Sequence, residues 1–240
     1  MNGDEELAKK VIAHVSTDVA PRWGVRPSTH AITEKLYEGF VEKFNAHLTQ
    51  YPYLLGGKPC LGDFGLMCPL YGHLGRDPVP HRLLQMRSPW VHRWVERMNR
   101  PEPDTGEYIN LPHSFLQDDE VPETIIELLT HFALDFVPET IASHSGINQW
   151  LEENKPAIGA QCERYTGEAE FDVEGTAIHV CPQPFRFYLL ERVQSAIQAL
   201  KGSDQAYALA LLDTCNMTAV LDLKLDRKIG RANNLEVWLD

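Results

Sequence analysis

The hydrophobic pattern over the first hundred residues has a helical period. Leu7, Val11, Ile12 and Val15 form one stripe, and VAPRWGVRP then breaks it at Pro21, Gly24 and Pro27. Ser28 reads as the N-cap of a long helix running to about Leu48, with Ile32, Leu36, Phe40, Phe44 and Leu48 as its inner stripe. Residues 64–75 are mostly apolar, which predicts a central buried helix. A further helix is predicted over 89–98, with Val91, Trp94, Val95 and Met98 facing inward, and NRPEPDTGEYINLPHS follows as a polar connection.

The motif VPETI occurs at 121–125 and again at 137–141. Each copy places a proline in what would be a first helical turn, with glutamate after it. The echo is too short to be a repeat unit. Pro138 either starts a second helix or kinks one longer helix. From 168 to 181 the period falls to two: Ala169, Phe171 and Val173 alternate with charge, Glu174-Gly175 turns, and Ala177, Ile178 and Val180 follow. That predicts a β-hairpin. Helices are expected over about 185–200 and 204–215. The tail alternates at Leu221, Leu223 and Leu225 and again at Leu235, Val237 and Leu239, which would add short strands to the hairpin. The fold class is mainly α with a small β addition.

Composition narrows the function more by exclusion than by indication. The 240 residues are 43% hydrophobic and 23% charged, ordinary for a globular chain. Apolar runs fall short of a membrane span and MNGDEELAKK is no signal peptide, so the cytoplasm is the expected location and no membrane partner is expected. A net charge of −12 argues against nucleic acid as a partner, since that surface needs a basic stripe. Cys60, Cys68, Cys162, Cys181 and Cys215 form no C-x-x-C and read as reduced thiols. The histidines lack H-E-x-x-H or a carboxylate at ligand spacing, so no metal site is expected. G-x-x-x-x-G-K-[ST], G-x-G-x-x-G and G-x-S-x-G are absent, which removes the common nucleotide-binding and hydrolase readings.

The stretch PYLLGGKPCLGDFGLMCPLYGHL carries the sharpest local signal. A helix starting near Leu61 would have Cys60 at its cap and Asp63 three positions on, the spacing of a reciprocal capping box. A carboxylate there also suits the positive end of the helix dipole. Asp63 is therefore read as a folding residue. The dipole would favour a Cys60 thiolate, but the Asp63 charge opposes it, so Cys60 reads as a weak cap. Arg93, Arg97 and Arg100 share a helix face with Arg87 one turn earlier. They read as a solvated face paired with Glu96 and nearby acids.

YLLGGKPCLGDFGLMCPLYGHLGRDPVP with RSPWVHRWVERMNRP resembles the C-terminal α-helical domain of the glutathione S-transferase superfamily, most specifically from about Ile32 to Pro101. That family usually has Ser or Thr three positions before the Asp; Cys60 departs from this. The resemblance implies a helical bundle over 1–110. It also implies a helical extension over 111–240 with a β-hairpin about 168–181, packed as one unit with the first part. It makes Tyr71, His73, Trp90 and Trp94 candidates for an apolar co-substrate pocket, although Tyr71 and Trp94 at helical spacing also suit a core and His73 a structural role. The family's glutathione site lies mainly in an N-terminal thioredoxin-like domain that residues 1–50 do not resemble, so the chain reads as a transferase second domain without its first. No catalytic residue is assigned and no cofactor is expected on this chain alone; glutathione would be a co-substrate only with that other domain supplied. A homodimer and an apolar small molecule are the partners this implies. The other reading is a non-catalytic interaction or ligand-binding module of the same fold.

Overall fold

The computed structural model describes residues 5–101 and 106–240, so part of the polar connection after Pro101 lies outside the described residues. Helix α1 (Glu5–His14) passes through a wide π-type turn, Val15–Val19, into the single turn α2 (Ala20–Arg22). Then come α3 (His30–His47), α4 (Leu61–Pro69), α5 (Pro78–Arg87), α6 (Pro89–Met98) and α7 (Glu123–Asn154). Strands β1 (Ala169–Val173) and β2 (Thr176–Val180) form one antiparallel hairpin. After α8 (Pro184–Ala199) and α9 (Gly202–Thr214), strands β3 (Ile229–Ala232) and β4 (Leu235–Trp238) form another. The described residues are mainly helical, with two small, separate strand pairs.

Several expectations need correction. Helix α3 begins two residues after Ser28. The buried hydroxyl beside its start belongs to Thr29, which accepts from the Arg26 N–H at 2.9 Å and donates to the Gly24 carbonyl at 2.6 Å. The apolar segment after Asp63 is helical only to Pro69 and then opens into a π-type turn over Leu70–Leu74. Much of it faces outward: Phe64 is 57% exposed, whereas Leu70 is buried. The α1 stripe of Leu7, Val11, Ile12 and Val15 is likewise exposed. The tail strands pair with each other and add nothing to β1–β2. Pro138 lies inside one continuous helix of 32 residues, whereas Pro122 immediately precedes its start.

The chain divides into two compact units, Lys35–His131 and the combination of Met1–Glu34 with Phe132–Asp240. Within Lys35–His131, Phe44 and Leu48 of α3, Leu84 of α5, and Val91 and Trp94 of α6 are fully buried. Phe44 meets Trp94 edge-on at 5.0 Å, an arrangement aromatic quadrupoles favour. Asn45 accepts the Trp90 backbone N–H at 2.9 Å, which gives a partner to a first-turn donor of α6. Gly57 is required sterically: a Cβ there would lie 2.0 Å from the Pro112 carbonyl oxygen.

The other unit has its core where α7, α8 and the second hairpin meet: Ile147, Leu151, Cys162, Phe187, Ile229 and Trp238. Trp150 stacks on Trp238 at 6.0 Å, and the Trp238 indole donates to Glu163 at 3.1 Å. Glu174 and Gly175 both take positive φ, 50° and 82°, as a tight hairpin turn requires, and Asp172 accepts the Gly175 N–H at 2.8 Å. At the other end of β2, the Cys181 N–H donates to the Arg22 carbonyl at 2.8 Å.

Candidate functional site

Two places gather the side chains that sequence and structure single out, one in each unit. In Lys35–His131 the centre is Asp63, fully buried at the start of α4. One carboxylate oxygen accepts the Cys60 N–H at 2.9 Å; the other accepts the Leu54 N–H and the Trp94 indole N–H, each at 3.2 Å. The Cys60 sulfur faces the Asp63 N–H and completes the reciprocal box with a weak acceptor. Burial pushes the Cys60 thiol above its ordinary value, and the Asp63 charge adds to that. This arrangement disfavours a thiolate at Cys60.

The four residues proposed as pocket lining lie in different settings. Trp94 is fully buried on Asp63 and Phe44. Trp90 is half-buried, its ring 6.0 Å from Tyr108 and under the Arg93 guanidinium. Tyr71 is half-buried with the Arg76 guanidinium 4.2 Å above its ring, and His73 is exposed. The arginine stripe needs correction. Arg93 and Arg87 are exposed and paired, with Glu107 at 2.6 Å and Glu38 at 2.8 Å, but Arg97 is buried and donates to the Pro52 carbonyl at 2.9 Å.

His47, buried in the same unit, went unnoticed in the sequence. Its Nε2 lies 3.0 Å from the Tyr53 carbonyl and its Nδ1 2.8 Å from the Thr124 hydroxyl. A carbonyl only accepts, so Nε2 carries the proton and Nδ1 accepts from Thr124. Burial holds the imidazole below its ordinary value of 6.5, with the Tyr53 bond and the Asp63 charge opposing that shift. The unfolded chain therefore takes up this proton at higher pH than the folded one. The stability linked to His47 is fully present above about pH 6.5 and falls as pH drops, by at most about 1.4 kcal/mol per pH unit. Urea unfolding at pH 7 and pH 5 should show a larger acid loss for wild type than for His47→Gln. Parallel losses would place the acid sensitivity elsewhere.

The second place is a cavity of about 280 Å³ in the other unit. Helix α7 contributes Phe136, Thr140 and Ser143, α8 contributes Phe187, Leu190 and Val193, and Leu212, Met217, Val220 and Leu221 complete the wall. Met217, Val220 and Phe187 are buried, whereas Leu189 and Val193 are about half exposed and mark the mouth. Arg186 also lines it, with its charge taken up by an ion pair to Glu139. Thr140 donates to the Phe136 carbonyl at 2.5 Å, one turn back along α7. Ser143 is left buried with no hydrogen-bond partner for its hydroxyl. The cavity therefore offers apolar walls, one unused hydroxyl and a neutralised ion pair. A lining of this kind suits the apolar part of a small molecule.

No protein-family model, curated protein or solved structure matches the chain. Among the described residues no cluster of three or more His, Cys, Asp or Glu could hold a metal ion. Among them also, no helix is long and apolar enough to cross a membrane.

Proposed function

We propose that the protein is a non-catalytic binding module for an apolar small molecule, held in the cavity between α7, α8 and the Met217–Leu221 segment. The observation that carries this reading is the cavity itself, about 280 Å³ with a nearly continuous apolar wall. A water occupies about 30 Å³ of liquid, so the space matches one small organic molecule. The test is a titration with 1-decanol followed by calorimetry, on wild type and on Val193→Trp. Val193 stands at the mouth, so an indole there fills the entrance without disturbing the buried wall. Losing contact with two methylenes costs about 1.6 kcal/mol, roughly tenfold in affinity, and that is the expected weakening. Absence of saturable binding in wild type, or equal binding by the variant, overturns the reading.

A second reading has its own support. The Cys60–Asp63 box and the outward-facing Leu61 and Phe64 of α4 suit the co-substrate half of a glutathione S-transferase-like protein, completed by a thioredoxin-like domain. On this reading the chain alone conjugates no glutathione, because the Cys60 thiol is pushed up and no other described group at Asp63 could activate a thiol. Appreciable turnover of glutathione with an electrophile by the purified chain would contradict it.

A further inference from the structure

A second cavity, about 250 Å³, lies beside the first, and Phe187 lines both. Its chemistry differs. Lys224, Arg227 and Lys228 line it with Glu191 as the one carboxylate, among Leu223, Leu225 and Ile229. In a chain of net charge −12, a recess with three cations to one acid runs against the overall balance. One guanidinium nitrogen of Arg227, Nη1, is buried with no hydrogen-bond partner. A buried guanidinium donor without an acceptor is costly unless an acceptor arrives from outside the chain, and a carboxylate or phosphate oxygen is the acceptor that suits it best.

The segment carrying these cations is held by side chains of α7 and α8. The buried Gln194 amide donates to the carbonyls of Val220 and Leu223, at 2.8 and 2.9 Å. His144 Nε2 reaches the Lys224 carbonyl at 2.7 Å, and Asn148 accepts the Asp226 N–H at 2.9 Å. The cationic side chains are thus mounted on a backbone that α7 and α8 fix, so the ordering left for binding is that of the lysine side chains.

We infer that the two cavities together take one amphipathic oxyanion, its apolar chain in the first and its carboxylate or phosphate head at Arg227, Lys224 and Lys228. The inference rests on the apolar-ligand reading for the chain and adds the identity of the head. Arg186 does not serve the head, since Glu139 already neutralises it. The order of preference follows: an anion of a given chain length binds more tightly than the neutral alcohol of the same length.

The experiment compares decanoate with 1-decanol by calorimetry at pH 7.5, on wild type, on Arg227→Gln, and on the exposed pair Lys224→Gln with Lys228→Gln. A charge-assisted hydrogen bond to the half-buried Arg227 guanidinium corresponds to at least about tenfold in affinity. Decanoate is therefore expected to bind at least about tenfold more tightly than decanol in wild type. Arg227→Gln should bring the two together by weakening decanoate alone, and the lysine pair should reduce the gap in a salt-dependent way without touching the buried wall. Inorganic phosphate should compete with decanoate and leave decanol unaffected. Equal affinities in wild type, or a gap untouched by either set of variants, overturn the inference while decanol binding keeps the apolar reading alive. Phosphate binding that does not displace decanoate marks a free-anion site and also overturns it. Binding of neither ligand overturns both.

Discussion

Replacing Asp63 by alanine should remove about 3–5 kcal/mol of stability, because one buried and two half-buried donors lose their acceptor at once and each costs about 1–3 kcal/mol when orphaned, the half-buried ones at the low end. The Cys60 and Leu54 N–H groups and the Trp94 indole all converge on this one carboxylate, and Asp63 and Trp94 are both fully buried. Asp63→Asn should recover only part of the loss, since its amide keeps one oxygen and turns an NH2 toward groups that are themselves donors. Urea unfolding at pH 7 measures both. A loss of only about 1 kcal/mol, the size of an ordinary helix cap, would mean that the Leu54 and Trp94 bonds contribute nothing.

This carboxylate also shows what local pattern can and cannot convey. The Cys60–Asp63 half was legible because a capping box is set by a spacing of three. The Leu54 and Trp94 bonds cross 9 and 31 residues, and no spacing rule encodes them. Helix α6 was legible end to end because Val91, Trp94 and Val95 recur at helical spacing and are buried. Its neighbour α5 left almost no signal: it buries only Leu84, and it carries Pro78 and Pro80, a residue type that a helix interior disfavours. In the structure both prolines lie in the first turn, where the missing N–H groups have no helical acceptor anyway.

The tail misled for a related reason. Leu221, Leu223 and Leu225 alternate as a strand would, but the Gln194 amide claims the Val220 and Leu223 carbonyls that a ladder would have used. The strands that do form turn at Asn233 and Asn234, both at positive φ, and that Asn-Asn pair was the hairpin signal overlooked. The cavities were not legible at all. Phe187, Leu190 and Val220 have the same apolar pattern whether the space beside them is filled or open, and only the packing of α7 against α8 and the Met217–Ile229 segment decides which. The cluster LKLDRK at 223–228 was a readable hint of local positive charge in an acidic chain, but the buried Arg227 nitrogen behind it was not.

Arg97 should behave as a core residue and Arg93 as a surface one, although they sit one turn apart on α6. The guanidinium of Arg97 lies 5.0 Å from the Tyr108 ring and 5.8 Å from Tyr53. It donates to the Pro52 carbonyl at 2.9 Å and stands 3.8 Å from Glu107. Arg93 holds the same glutamate at 2.6 Å with 57% of its own side chain exposed. Removing Arg97 as Arg97→Met preserves the apolar stem but orphans a buried carbonyl and withdraws a cation from two aromatic faces. The expected loss is about 2–3 kcal/mol, below that of a broken, fully buried pair because Glu107 keeps Arg93 and some water. Arg97→Lys should recover little, since a point-charge ammonium cannot lie flat between two rings and still reach the Pro52 carbonyl. Arg93→Gln should cost no more than about 0.5 kcal/mol, as exposed pairs do, and its effect should shrink further in high salt. Equal, small losses for Arg97→Met and Arg93→Gln in parallel urea titrations would restore the solvated-stripe reading. A several-fold difference between them would show that helical spacing placed these arginines on one face while packing against Tyr53 and Tyr108 turned one of them inward.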